Sequence, residues 1–233
     1  MRRAGLPIAF YAAFGSMSGN AQAPPAPAER YVVVVDAAHG GDDSGGHANG
    51  WTEKSVTLAL SVKLRSLLAA RGIAVVTTRE ADTTLDPERR AAIANHANAQ
   101  ACLSLHASLS GAGVHLFASS LAAVEPARFV PWRTAQAASV ERSLALEGVL
   151  NAALEHAGMA VTVGRTGLPV VDSMNCPAAA VEISPESAVS RPQGESATDS
   201  LNDAGYQAQV AEALAAALVE WRTDGGQAGV HQP

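Results

Sequence analysis

The sequence predicts an α/β protein with a single layered domain, in which a mostly parallel, twisted sheet of about six strands is flanked by helices. Continuous runs of apolar residues, many of them β-branched, are typical of strands covered on both faces, as in parallel sheets. These runs alternate with segments of helical periodicity, and such alternation implies right-handed crossovers between parallel strands. At 233 residues, the chain has room for one domain with a substantial core.

Six segments have the composition of strands. Each is a short run rich in Val, Ile, Leu or Ala, bounded by Gly, Pro or polar residues. The segments are Tyr31–Val35, Ile73–Thr78, Ala101–Leu105, Gly113–Phe117, Leu168–Val171 and Ala178–Ile183. We therefore expect six strands in the sheet.

Four further segments have the periodicity of helices. Asp86 followed by Pro87 is typical of a helix start, with a capping carboxylate and a proline in the first turn. Gly72 and Gly158 are predicted to end two helices. The predicted helices are Val56–Leu68, Asp86 to about Asn98, Thr134 to about His156, and Tyr206–Trp221. The segment Ser184–Asp203, rich in Ser, Glu and Pro, is predicted to be a mobile loop.

The two ends of the chain are expected to lie outside the folded domain. Residues 1–23 have the form of an export signal, with a positive start at Arg2 and Arg3, an apolar stretch, and a small-residue cleavage site that ends at Ala23. A disordered N-terminus is the alternative. Residues 24–30 read as a Pro/Ala-rich linker, residues 31–222 as the folded domain and residues 223–233 as a flexible tail.

Composition and charge exclude several classes of partner. The net charge of -6 leaves no basic field for binding nucleic acid. No segment beyond the signal approaches the ~20 apolar residues that cross a bilayer, so we expect no membrane span after signal removal. The two cysteines, Cys102 and Cys176, are too few for a disulfide scaffold and do not form a CxxC metal pair; a single bridge stays open.

Four polar side chains are predicted to meet at one edge of the sheet. Ligands of parallel sheets bind beyond the carboxyl ends of the strands, where His39, His106 and Glu182 fall. Glu53 begins the first helix at the same edge. Two histidines and a glutamate around zinc, with a fourth position open for water, form a recurrent catalytic arrangement, and a spare carboxylate can take the proton of that water. The pattern therefore indicates a hydrolytic zinc centre.

Each of these residues also has an ordinary structural interpretation. His106 could be a core histidine, and Glu53 could simply stabilise a helix N-terminus through the macrodipole. Glu182 is harder to explain in this way, because a carboxylate within an apolar run is costly to bury without a cation. For Asp36, a role as the acceptor that orients His39 and a role as a turn residue are about equally favoured.

Six sequence blocks, in this order and spacing, resemble the zinc-dependent N-acetylmuramoyl-L-alanine amidase family of type 3. The resemblance covers about Tyr31 to Trp221. The blocks are DAAHGGDDSGG (36–46), WTEKSVTLAL (51–60), VVTTREAD (75–82), ERRAAIANHANA (88–99), SLHAS (104–108) and PAAAVEIS (177–184).

The resemblance implies both the chemistry and the substrate. His39, Glu53 and His106 match the residues that hold Zn²⁺ in the family, and Glu182 matches its catalytic glutamate, the general base. The implied substrate is peptidoglycan, cut at the amide between N-acetylmuramic acid and L-alanine of the stem peptide. Residues 31–222 would then be the catalytic domain of a periplasmic or secreted autolysin. Arg79 and Arg89 also match basic positions of the family, but surface or helix-pairing roles are favoured for them.

The chain departs from the family pattern near the proposed ligands. Ala37-Ala38 stand in place of Pro-Gly, Ser108 in place of Asn, and Ser184-Pro185 in place of Gly-Phe. Two alternatives therefore stay open: a zinc peptidase that acts on another substrate, and an inactive peptidoglycan-binding module. We also expect a monomer, and a protein activator is a further partner that the family admits.

Overall fold

The computed structural model describes residues 30–48, 50–125, 131–187, 193–194 and 196–228. The predicted export signal and nearly all of the predicted linker lie outside the described residues. Within them, no helix is long and apolar enough to cross a membrane. The described chain forms a six-stranded sheet with helices on both faces, as predicted.

The sheet has the order β4-β1-β5-β8-β6-β7. Neighbouring strands are parallel except β6 and β8, which pair antiparallel, so β6 and β7 run opposite to the other four. A separate antiparallel hairpin is formed by β2 and β3. The strands are β1 (Val32–Ala37), β2 (His47–Ala48), β3 (Trp51–Thr52), β4 (Ala74–Thr77), β5 (Ala101–Ala107), β6 (Val114–Ser119), β7 (Val161–Thr166) and β8 (Ala178–Ile183).

Helices lie between the strands in the pattern expected of an α/β domain. The α-helices are α1 (Glu53–Ala70), α2 (Pro87–His96), α3 (Val140–His156), α4 (Pro169–Asp172), α5 (Ala197–Asn202) and α6 (Ala204–Ala228). A 3₁₀ helix, Trp132–Ala138, precedes α3. The predicted cap of α2 is confirmed, because the Asp86 carboxylate accepts a hydrogen bond from the Arg89 N–H at 2.6 Å.

One face of the sheet, which we call the α1/α3/α6 face, carries the larger core. Side chains alternate between the two faces of a strand, and every second residue of β1, β5, β6 and β8 packs here against the three long helices. The fully buried side chains include Leu60, Leu64, Leu68, Leu103, Leu105, Leu116, Leu146, Leu150 and Leu154. This face buries most of the large apolar side chains of the domain.

The opposite face, which we call the α2/α4 face, has a smaller core and carries several polar residues of the central strands. Its buried residues are Val34, Ala94, Cys102, Val171, Met174, Cys176, Ala178 and Ala180. A disulfide joins Cys102 of β5 to Cys176, 74 residues later. By strand alternation, Asp36, Ser104, His106 and Glu182 also point to this face.

One strand prediction was wrong, and one edge strand was not predicted. Leu168–Val171 was expected to be a strand, but Pro169 to Asp172 form α4: Pro169 occupies the first turn, and the Asp172 N–H closes that turn on the Leu168 carbonyl at 2.7 Å. The sixth strand is instead β7, which we missed. It is an edge strand with largely exposed side chains and a glycine, so it lacks the buried apolar run used to find the others.

The helices near the C-terminal half also differ from the prediction. The helix expected from Thr134 is interrupted, because Thr134 has a non-helical backbone and α3 begins only at Val140. The predicted loop Ser184–Asp203 contains α5, whose N-terminus is closed by a capping box between Ser196 and Asp199. The last helix continues to Ala228, beyond the expected end at Trp221.

Candidate metal centre

His39 stands on a sharp turn immediately after β1. Its φ of 60° lies in the left-handed region, which is uncommon for residues other than glycine. Gly40 follows with a φ of 132°, and a Cβ atom there would lie 2.4 Å from the Thr83 carbonyl oxygen. The glycine after His39 is therefore required by both backbone conformation and space.

Glu53 is fixed by backbone groups on both sides of its carboxylate. It is the first residue of α1 and is 7% exposed. The Gly46 N–H donates to Oε2 at 2.9 Å, and the Ala107 N–H donates to Oε1 at 3.2 Å. A Cβ atom on Gly45 would lie 2.6 Å from Oε2. Any larger residue at this position would therefore collide with the Glu53 carboxylate.

Two imidazoles meet the carboxylate of Glu53. His39 Nε2 lies 3.2 Å from Oε2, and His106 Nδ1 lies 3.0 Å from Oε1. One nitrogen of each histidine and one oxygen of Glu53 all lie within 4.8 Å of one another. Three of the four residues predicted for the site thus come together as a group able to hold a metal ion.

The ionisation of the group suits a cation. Burial raises the pKa of Glu53, but hydrogen bonds from His106, His39 and the Gly46 N–H outweigh it and leave the pKa well below its usual range. The hydrogen bond to Glu53 raises the pKa of His39, with burial acting in the opposite sense and Asp43 adding to the rise. The carboxylate is therefore ionised at neutral pH and faces both imidazoles.

The donor set fits zinc in number, chemistry and spacing. Zinc takes imidazole nitrogen and carboxylate oxygen at about 2.0 to 2.2 Å, so the ligand atoms of a tetrahedral site lie about 3.4 Å apart. The distances of 3.0 and 3.2 Å, within a group that spans at most 4.8 Å, approach that spacing. Three protein ligands also leave a fourth position open, as in catalytic rather than structural zinc sites.

Asp43, rather than Asp36, contacts the far nitrogen of His39. His39 Nδ1 lies 2.7 Å from Asp43 Oδ2, whereas the Asp36 carboxylate accepts hydrogen bonds from Thr78, Arg90 and Ser104. The prediction that Asp36 is the direct acceptor of the His39 ring was therefore wrong, because the left-handed turn places that ring against Asp43. Sequence reasoning missed Asp43; its place in the glycine-rich block was the available signal.

Glu182 lies one strand away from His106. The two residues are paired in register between β5 and β8, and on its other side Glu182 pairs with His115 of β6, so all three side chains share a face. Burial raises the pKa of Glu182, while the neighbouring His115 and His106 lower it and Glu53 raises it. Within the described chain, His115 Nε2 is buried without a hydrogen-bond partner.

A small cavity opens onto the cluster from the α2/α4 face. It has a volume of about 130 Å³ and is lined by Asp36, Ala38, His39, Asp43, Leu85, Pro87, Arg90, His106 and Val170. His47, the nearest histidine in sequence to His39, faces Ser44 and the Gly45 carbonyl and is not part of the three-residue group.

Comparisons with known proteins agree with this picture. A family model described as N-acetylmuramoyl-L-alanine amidase matches residues 33–220. The germination-specific N-acetylmuramoyl-L-alanine amidase of Bacillus subtilis is 33% identical over 89 residues, which are 32% of this chain and 38% of that protein. The matches to the first three curated relatives span 31 to 39% of their lengths.

Solved structures share the fold over most of the chain. The catalytic domain of CwlV from Bacillus (Paenibacillus) polymyxa superposes with a TM-score of 0.65 at 24% identity, covering 83% of this chain and 98% of that one. The CwlD amidase of Clostridioides difficile, solved in complex with the GerS lipoprotein, gives 0.63 at 20% identity, covering 83% and 99%. These likenesses establish the shared architecture.

Proposed function

The chain belongs to the N-acetylmuramoyl-L-alanine amidase family, and from this premise we propose that it is a zinc hydrolase acting on peptidoglycan. The bond cut is the amide between N-acetylmuramic acid and L-alanine of the stem peptide. His39, Glu53 and His106 would hold the zinc ion, and Glu182 would be the catalytic base.

The grouping of His39, Glu53 and His106 carries this proposal. These residues come from three separate places in the sequence, and their ligand atoms lie within 4.8 Å of one another. His39 and His106 also line the small cavity. Glu182 is paired with His106 on the same face, yet it is not one of the three. A separate carboxylate beside a two-histidine, one-glutamate centre is the arrangement that metal-assisted hydrolysis needs.

The residues of this chain then have distinct parts in the reaction. A bound zinc ion lowers the pKa of water and polarises a carbonyl oxygen. Glu182 takes a proton from the attacking water while the water oxygen forms a bond to the amide carbon. As the carbon–nitrogen bond breaks, Glu182 returns that proton to the leaving amine of L-alanine. The raised pKa of Glu182 favours a group that can both accept and release a proton.

The proposed location is the periplasm or the exterior of the cell. Peptidoglycan lies there, and the Cys102–Cys176 disulfide is of a kind that persists in oxidising compartments. Action as a monomer and control by a protein activator are further parts of the proposal. The complex of the CwlD amidase with the GerS lipoprotein supports looking for such a partner.

Release of stem peptides from purified peptidoglycan tests the proposal. The zinc-loaded protein should create new L-alanine amino termini, and chelation should stop it. Glu182→Gln should lower kcat by about 10² to 10⁴-fold, the usual contribution of a general base, while zinc remains bound. Glu147→Gln is the matched control, because Glu147 is another glutamate whose pKa burial raises, but it belongs to α3.

The same assay separates the alternatives. A zinc peptidase would leave sacculi intact but cleave peptides in a chelator-sensitive way. An inactive binding module would sediment with sacculi and release nothing, whether or not Glu182 is intact. Equal activity of Glu182→Gln and the wild type would contradict the assignment of the base.

A further inference from the structure

Two buried arginines hold the carbonyl groups of the turn that carries His39. Arg79 and Arg90 are each 4% exposed. Arg79 Nε donates to the Ala37 carbonyl at 2.9 Å, and its Nη2 donates to the Ala38 carbonyl at 3.0 Å. Arg90 Nη1 donates to the Ala37 carbonyl and Nη2 to the His39 carbonyl, both at 2.6 Å. Three consecutive carbonyls are thus satisfied by two guanidinium groups.

The arrangement compensates for an unfavourable backbone. His39 adopts a left-handed conformation immediately after β1, and the buried carbonyl groups around it need hydrogen-bond donors. A guanidinium group offers five donors in a rigid plane, so it can bind several carbonyls at once in a way that lysine cannot. Burial of two guanidinium groups is costly, which makes a purely incidental role a poor explanation.

Arg90 is also linked to the second histidine through two side chains. Its Nη1 donates to Asp36 Oδ1 at 2.8 Å, and Asp36 Oδ2 accepts from the Ser104 hydroxyl at 2.7 Å. The Ser104 oxygen lies 3.4 Å from His106 Nε2. If His106 binds a metal ion through Nδ1, the nitrogen that faces Glu53, then Nε2 keeps the ring proton and can donate it to the Ser104 oxygen.

We propose that Arg90, Asp36 and Ser104 form a connected set of positioning residues that holds both His39 and His106 in place for a metal ion, with Arg79 as a second anchor of the His39 turn. The inference rests on the proposed metal site. It adds that the geometry of two ligands is set by one buried chain of hydrogen bonds, which runs from the His39 carbonyl to the His106 ring.

Zinc affinity, measured by competition with a chelator, tests this inference without relying on turnover. Arg90→Lys and Ser104→Ala should each weaken zinc binding by about 10 to 100-fold, as losses of groups that orient metal ligands do. The double variant should lose less than the product of the two single effects, because both changes interrupt the same chain of contacts. Circular dichroism establishes that each metal-free variant is folded.

Two matched controls lie elsewhere on the sheet. Arg165 also donates to two backbone carbonyls, those of Ser119 and Leu121, and the Ser119 hydroxyl donates to a carboxylate, that of Asp172. Arg165→Lys and Ser119→Ala should therefore disturb comparable contacts and leave zinc affinity unchanged.

The outcomes separate this inference from the proposed function. Wild-type affinity in both Arg90→Lys and Ser104→Ala overturns the inference alone, as would an equal loss in the two controls. A wild-type chain that binds no zinc overturns the metal site itself. If Arg90→Lys does not fold, Ser104→Ala against Ser119→Ala decides, since it removes one hydroxyl and leaves the Arg90–Asp36 pair intact.

Discussion

The two faces of the sheet are stabilised in different ways. On the α1/α3/α6 face, long helices bury a continuous set of leucines and valines. On the α2/α4 face, the core consists mainly of alanines and other small residues, and short elements are joined by a disulfide and by hydrogen bonds. Gln136, for example, donates its side-chain amide to the carbonyls of Val171, Met174 and Cys176.

This difference separates stability from chemistry. Because the core of the α1/α3/α6 face is closely packed, loss of a large side chain there lowers the stability of the whole domain. The small residues of the α2/α4 face leave room for polar groups and a cavity. Arg90, His106 and Glu182 lie on the second face, and Glu53 completes the candidate metal centre from the first residue of α1. Three measurements would sharpen or break this division.

The largest effect is expected from a cavity in the apolar face. Leu150 of α3 is fully buried, so Leu150→Ala should lower the free energy of unfolding by about 2 to 5 kcal/mol. Urea titration measures this change, and zinc affinity of the folded protein should not move. Leu144→Ala, in the same helix at a position 37% exposed, is the control and should change stability by about 0.5 kcal/mol or less. A loss of zinc affinity in Leu150→Ala would break the division.

The next effect concerns the disulfide of the α2/α4 face. Closing a loop between Cys102 and Cys176, 74 residues apart, restricts the unfolded chain by up to about 4 kcal/mol, and 2 to 4 kcal/mol is the usual range. The double variant Cys102→Ala/Cys176→Ala should unfold at correspondingly lower urea and become insensitive to reductant. Unchanged unfolding of the double variant would show that this face does not depend on the disulfide.

The smallest effect is expected at alkaline pH, from a hydroxyl within the apolar face. Tyr206 donates to the carbonyls of Ser184 and Gly113, and burial, followed by the charge of Glu186, raises its pKa to about 12. Between pH 10 and 12 the unfolded chain loses this proton while the folded chain keeps it, so stability falls as pH rises, by about 2 kcal/mol in total. Tyr206→Phe should reduce this fall in urea titrations at pH 9 and pH 11.

Tyr31 should account for the remainder. Its pKa is also raised to about 12, chiefly by burial, with Arg142 and Arg222 acting against the rise. If Tyr206→Phe loses as much stability between pH 9 and pH 11 as the wild type does, ionisation of Tyr206 does not contribute to the pH dependence.

The sequence allowed the centre of the fold to be predicted better than its periphery. The buried strands β1, β5 and β8 were found because each is a continuous apolar run, and Ala178–Ile183 was predicted with its observed bounds. The edge strand β7 was missed and α4 was taken for a strand, since exposed positions at an edge carry little hydrophobic signal. Short apolar segments such as Leu168–Val171 do not distinguish strand from helix.

For the site, residue types and strand ends were enough to select the cluster but not its surroundings. His39, Glu53 and His106 come together as predicted, whereas the base role of Glu182 stays a prediction. Asp43 and Arg90 could not be assigned from spacing, because their contacts depend on the left-handed turn at His39 and on how α2 packs against it.

The position of β8 has a consequence for how the chain is made. Among the described residues it is the last strand in chain order, yet it lies inside the sheet, between β5 and β6, which are not paired with each other. Until residues 178–183 have been synthesised, the sheet exists as two pieces, and such long-range closure is slow to form. Glu182 arrives on the same strand. A nascent or truncated chain would therefore lack both a continuous sheet and the proposed base, so that completion of the fold and readiness for hydrolysis coincide.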